Sequence, residues 1–185
     1  MAGLAPIVPP LAALVLAAVP VLPPVTPSSP VPGASQANLA PSLTLPRAAM
    51  SALRSLGGRI AGREVRIVLV ADTLFEPGQA RLRAGAADVL ERVAIVARAL
   101  PDDAMTLAAH ADAAGSESAM IALTVRQGRA VADWLQARGR IGQRWLAVRA
   151  LGASQPIAAE TRADGAPDLA GRRRNRRVEV LLRQR

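Results

Sequence analysis

From Glu64 onward the chain switches repeatedly between two hydrophobic periods, and this switching limits what it can fold into. Val65, Ile67, Leu69 and Ala71 alternate with Glu64, Arg66, Val68 and Val70, the two-residue repeat of a strand becoming buried on both faces. Phe75-Glu76-Pro77-Gly78 then marks a turn. Leu82, Ala86, Val89, Leu90, Val93, Ala97 and Leu100 follow at three- and four-residue steps, an amphipathic helix closed by Pro101-Asp102-Asp103. The pattern predicts a strand over 105–110, a loop over 112–116, a second helix over 118–138 ended by Gly139, and strands over 145–152 and 176–182. Strands alternating with helices imply an α/β layer, helices packed on a sheet. The spacing predicts four strands and two long helices in one domain over 63–185.

The text upstream differs in kind. No charged side chain precedes Arg47, and 11 of the 15 prolines fall in residues 1–46. Residues 11–19, LAALVLAAV, have the length of the apolar region of a secretory signal. No basic residue precedes that run, and the best small-x-Ala site, Ser35-Gln36-Ala37, is distant. A membrane-spanning helix needs roughly 20 apolar residues, and Pro9, Pro10, Pro20, Pro23 and Pro24 interrupt any such stretch. The readings left open are an export signal, a membrane anchor or a disordered cytosolic tail, joined to the domain by a semi-extended proline-rich spacer. The first two put the domain outside the cytoplasm, the second with membrane association through the N-terminus. Residues 47–62 read as a connector, with a short helix ending at Gly57-Gly58.

Charge and composition narrow the function classes. All 23 basic residues are arginine, against 14 acids, so the net charge of +9 lies on residues 47–185. That balance suits an anionic partner such as nucleic acid, a membrane surface or an envelope polymer, and equally fits an Ala/Arg-rich coding bias. The absence of cysteine excludes disulfides and thiolate nucleophiles, and a single His leaves no usual zinc site. No nucleophile–base pair, metal set or phosphate loop is present, so neither an enzyme nor a cofactor is expected. With no Tyr and one Phe, base stacking is poorly provided for and a specific nucleic-acid partner is the remote alternative.

Four stretches then fall into a known order: TLFEPGQARL (73–82), AHADAAGS (109–116), LTVRQGRAV (123–131) and GRRRNRRVEV (171–180). Together they resemble the LF-x-x-x-x-A-x-L, GHTD-x-x-GS, LS-x-x-RA-x-AV and GR-x-x-NRRVE signatures of the OmpA-like C-terminal domain, found also in Pal lipoproteins and MotB. The resemblance implies a βαβαββ sandwich with helices on one face of a four-stranded mixed sheet. It also implies a non-catalytic module of the periplasm or outer-membrane-associated envelope. Such modules bind peptidoglycan through the diaminopimelate of its stem peptide, and other envelope proteins are possible partners.

In that family an Asp and an Arg clamp the amino and carboxylate ends of the ligand. A guanidinium suits the carboxylate because it offers a planar fork of donors. By resemblance the Asp is Asp112, with the backbone of Ala111 beside it, and Arg176 lies near the ligand carboxylates. The Arg position is occupied by Gln127, and the neighbouring charge is Arg126, rotated by about 100° around a helix. Met120 stands where the family has a hydrogen-bonding Asn. These two changes open a second reading, a degenerate module that serves protein assembly without holding the stem peptide. His110 reads as a satisfied strand-end histidine, and Trp134 and Trp145 as core. The stretch between Thr161 and Gly171 is longer than the family pattern and reads as a surface loop.

Overall fold

The structure is a computed structural model that describes residues 43–100, 104–142 and 146–183. The apolar run 11–19, the spacer up to residue 42, the helix-closing 101–103 and Trp145 lie outside the described residues. No helix among the described residues is long and apolar enough to cross a membrane.

The chain runs α1 (Arg47–Ser55), β1 (Arg59–Ala61), β2 (Glu64–Val70), α2 (Ala71–Leu74), α3 (Ala86–Arg98), β3 (Ala104–His110), α4 (Glu117–Ala137), β4 (Leu146–Gly152), α5 (Leu169–Asn175) and β5 (Arg177–Arg183). The strands form one sheet in the order β1-β2-β5-β3-β4, parallel between β3 and β4 and antiparallel elsewhere. The mixed α/β architecture is thus as expected, with five strands in place of four. The extra strand is β1, three residues too short to show a two-residue period. Its Arg59, Ile60 and Ala61 pair with Arg66, Val65 and Glu64 across a tight turn at Gly62, whose φ of 59° suits glycine.

One face of the sheet carries the core. Val65, Ile67 and Leu69 of β2, Met105, Leu107 and Ala109 of β3, and Val178, Val180 and Leu182 of β5 are all buried there. Helices α3 and α4 cover this face with Leu90, Val93, Val96, Val131 and Leu135. Fully burying each such side chain stabilises the fold by about 1.5–3 kcal/mol. Gly128 lets α4 lie close on the sheet, since a Cβ there would sit 2.5 Å from a methyl of Val148. Trp134 packs against this core from a partly buried position.

The stretch 47–62, expected as a connector, belongs to the folded unit. Leu43, Leu45, Ala49, Ala52 and Leu53 are core residues, and α1 packs on α3. Gly57, at a φ of 64°, ends the helix as foreseen, and Gly58 donates to the Leu53 carbonyl at 2.9 Å.

Candidate functional site

Register explains why distant residues meet. Val70 at the end of β2 pairs with Arg177 at the start of β5, and Arg177 also pairs with His110 at the end of β3. The residues just outside these three ends, Asp72, Arg176 and Asp112, therefore share one edge of the sheet. The amide of Ala71 donates to the Arg176 carbonyl at 2.9 Å and holds that edge together.

Arg176 is the centre of the cluster. Its Nε and Nη2 donate to the two oxygens of Asp72 at 2.8 and 2.7 Å, a bidentate fork, while Nη1 donates to Asp112 Oδ2 at 2.6 Å. Asp112 is buried, at 6% exposure, whereas Asp72 and Arg176 stay partly open to solvent. The hydrogen bond from Arg176 holds the Asp72 carboxyl below its usual range against the opposing effect of burial, with help from the charges of Arg176, Arg173 and Arg83. The same contact with Asp72 raises Arg176 well above the ordinary guanidinium range. The other Asp112 oxygen, Oδ1, accepts no hydrogen bond from the described residues.

A cavity of about 320 Å³ opens beside this cluster, lined by Asp72, Phe75, Glu76, Arg83, Gln127 and Arg176 among others. Its outer wall is the small hairpin 75–82, in which Phe75 bridges Leu82. At its tip Gln79 N donates to the Glu76 carbonyl at 3.0 Å and Gly78 adopts a φ of 66°, the Pro-Gly arrangement of a type II turn. Gln127 is buried on α4 and donates from Nε2 to the Gln79 carbonyl at 2.9 Å. Its donor nitrogen thus faces the hairpin.

Gln127 and Arg176 line this cavity, and Asp112, which does not line it, is tied to it through Arg176, while Ala111 and Arg126 contribute less. Ala111 N donates to the Gly152 carbonyl at 2.8 Å, so its amide is spent inside the fold. Arg126 is exposed on α4 and does not line the cavity. Met120 lines a different cavity of about 460 Å³, with Ala113, Gly115, Ile121 and Leu151.

Asp72 and Glu160 belong to the site although no sequence motif marks them. Asp72 follows a buried strand just as Asp112 does, a signal that was legible, but its meeting with Arg176 depends on the β2/β5 register. Glu160 braces the Asp112 loop: one oxygen accepts from Ala113 N at 2.7 Å and the other from Asn175 Nδ2 at 2.7 Å. Asn175, fully buried, also accepts from Ile157 N and Ala158 N and donates to the Ala158 carbonyl. The longer stretch after Thr161 forms an exposed hairpin, Thr161 bridging Pro167.

His110 is buried at 2% exposure, and neither ring nitrogen has a hydrogen-bond partner among the described residues. It was expected to be satisfied; the structure corrects this, because Glu179 is drawn to Arg177 at 2.7 Å and stands 3.6 Å from the imidazole. Desolvation lowers its pKa from 6.5, the Arg177 charge adding to the effect and the Glu179 charge opposing it, which favours the neutral ring.

A model of the OmpA family matches residues 74–168, just over half of the 185-residue chain. The chain belongs to the OmpA family. The match includes Asp112 and Gln127, while Asp72 and Arg176 join the site of this OmpA-family domain through the sheet register. The peptidoglycan-binding protein ArfA of Mycobacterium tuberculosis is 37% identical over 95 residues, 51% of this chain and 27% of ArfA. The matched stretch thus spans about a quarter of that relative. Among solved structures, the cell wall anchor of the type VI secretion system from Pseudomonas aeruginosa superposes with a TM-score of 0.62 at 22% identity, covering 77% of this chain and 98% of that one. A MotB-like protein from Desulfovibrio vulgaris gives 0.61 at 19% identity, covering 74% and 90%. These two likenesses speak to the fold.

Proposed function

We propose that this OmpA-family domain binds peptidoglycan non-covalently and tethers the envelope to the wall on its periplasmic side, acting as a binding module and not as an enzyme. The observation that carries the reading is Asp112: a buried carboxylate on a strand-end loop, fixed by one short hydrogen bond from Arg176, with its second oxygen still able to accept. A carboxylate so placed suits the amine of a zwitterion such as diaminopimelate, because burial strengthens the attraction and Arg176 fixes the direction. Ala111 and Arg126 lie at the margin of this reading. The similarity to ArfA, named as peptidoglycan-binding, supports it. Export or anchoring by residues 1–46 and an outer-membrane association belong to the same proposal, as do further envelope partners.

Co-sedimentation of the full chain with purified sacculi tests it. Wild type is expected to pellet, Asp112→Ala to stay largely in the supernatant, and the difference to persist in 0.5 M salt, about where diffuse attraction of surface arginines is screened. Equal pelleting of both proteins that disappears in salt would reduce the interaction to general charge attraction.

A second reading rests on Gln127 and Met120. An uncharged amide already bonded to Gln79 replaces the family arginine, which favours a domain that has kept the fold for protein assembly. Failure of wild type to pellet, with binding gained by Gln127→Arg, would favour that reading.

A further inference from the structure

The cavity beside Arg176 holds a second guanidinium, on Arg83, one residue beyond the 73–82 signature. Arg83 leaves the 75–82 hairpin with its backbone amide donating to the Leu74 carbonyl at 2.9 Å. Its Nε donates to the Phe75 carbonyl at 2.7 Å, which fixes the plane of the guanidinium on the cavity wall. Glu76, on the same cavity wall, forms a loose ion pair with Nη2 at 3.7 Å, both side chains partly exposed, without a hydrogen bond.

Counting donors separates the two arginines. A guanidinium has five N–H groups. Arg176 directs three hydrogen bonds at Asp72 and Asp112, so its charge is largely answered within the protein. Arg83 uses one, and neither of its Nη groups makes a hydrogen bond among the described residues. Gln127 faces the same cavity, but its donor is turned to the Gln79 carbonyl and ties the hairpin to α4.

We propose that Arg83 is the carboxylate-recognising guanidinium of this site and that Gln127 is a positioning residue, holding the hairpin from which Arg83 projects. The cationic end of the zwitterion clamp is thus moved from helix α4 to the hairpin and not lost. The inference rests on the peptidoglycan reading, since it assigns the ligand's carboxylate after its amine has been given to Asp112. The ligand class is a zwitterion with a free carboxylate next to its amine, and an amidated form of the same group is disfavoured.

Two probes test this with the full chain: the tripeptide L-Ala-γ-D-Glu-meso-diaminopimelate, and the same peptide with the side-chain carboxylate of its diaminopimelate converted to carboxamide. Isothermal titration of wild type is expected to show roughly tenfold or greater preference for the acid, as losing a charged hydrogen-bond partner implies. Arg83→Gln should bind the two peptides equally, and Arg83→Lys should keep part of the preference, having charge without the fork. Asp112→Ala should weaken both peptides alike, because it acts on the amine. Wild type that binds both peptides equally, or Arg83→Gln that keeps the preference, overturns the assignment of Arg83 and leaves the peptidoglycan reading standing. Wild type that binds neither peptide overturns both.

Discussion

Asn175→Ala should destabilise the domain by about 2–4 kcal/mol although it touches neither the core nor a ligand. The side chain is fully buried and makes four hydrogen bonds: two accepted from Ile157 N and Ala158 N, two donated to the Ala158 carbonyl and Glu160. Each such bond contributes about 1 kcal/mol net, and a buried group left unpaired costs about 1–3 kcal/mol. Ile157 is 51% exposed, so water can reach part of the vacated backbone and hold the loss below the full sum. Urea unfolding followed by circular dichroism would read this as a lower midpoint at unchanged slope, and thermal unfolding as a drop of about 5–15 °C. Because Glu160 also accepts from Ala113 N, the Asp112 loop should loosen with it. A loss below about 1 kcal/mol would show that the network does not hold this end of the fold, and would refute the bracing role given to Glu160.

Two further outcomes follow from the same structure. Burial depresses the His110 pKa from 6.5, so below that pH the unfolded chain binds more proton than the folded one. Its contribution is present above pH 6.5 and lost as the pH falls toward the depressed folded value; the melting temperature should therefore fall between pH 7.5 and 5, and less so in His110→Leu. An identical pH slope in the two proteins would assign the loss to other groups, with Asp72 acting only in the acid range below 3.8. Gly171→Ala would place a Cβ 1.7 Å from the Ala159 carbonyl oxygen, a backbone clash, and should cost about 1–3 kcal/mol in chemical denaturation. Unchanged stability would mean that α5 can move off the 157–160 segment freely.

Much of this fold was legible because hydrophobic period and order survive in the text. The switch from alternation at Val65, Ile67 and Leu69 to helical steps after Leu82 needs no tertiary information, and the structure follows it. The strand β1 and the core role of Leu43, Leu45 and Leu53 were not legible: a three-residue strand has no period, and a short amphipathic helix looks the same whether it links domains or packs on one. In the site, Asp112 and Arg176 could be read from motif positions, whereas the contacts of Arg176 with Asp112 and with Asp72 are products of two strand registers, β3 on β5 and β2 on β5. Gln127 was read as a weakened ligand; its bond to Gln79 depends on a hairpin whose approach to α4 no local pattern encodes. The unsatisfied His110 shows the same limit, because Arg177 claims Glu179 first.

The central claim is that the edge formed by Asp72, Asp112 and Arg176 is where the wall peptide sits. Amide chemical shifts of the isotopically labelled protein, titrated with the diaminopimelate tripeptide, test it most directly. The account predicts the largest changes in residues 71–79, 111–116 and 176, all lost together in Asp112→Ala. Changes confined to α1 or to the exposed arginines of α5, or changes that persist in Asp112→Ala, would contradict it.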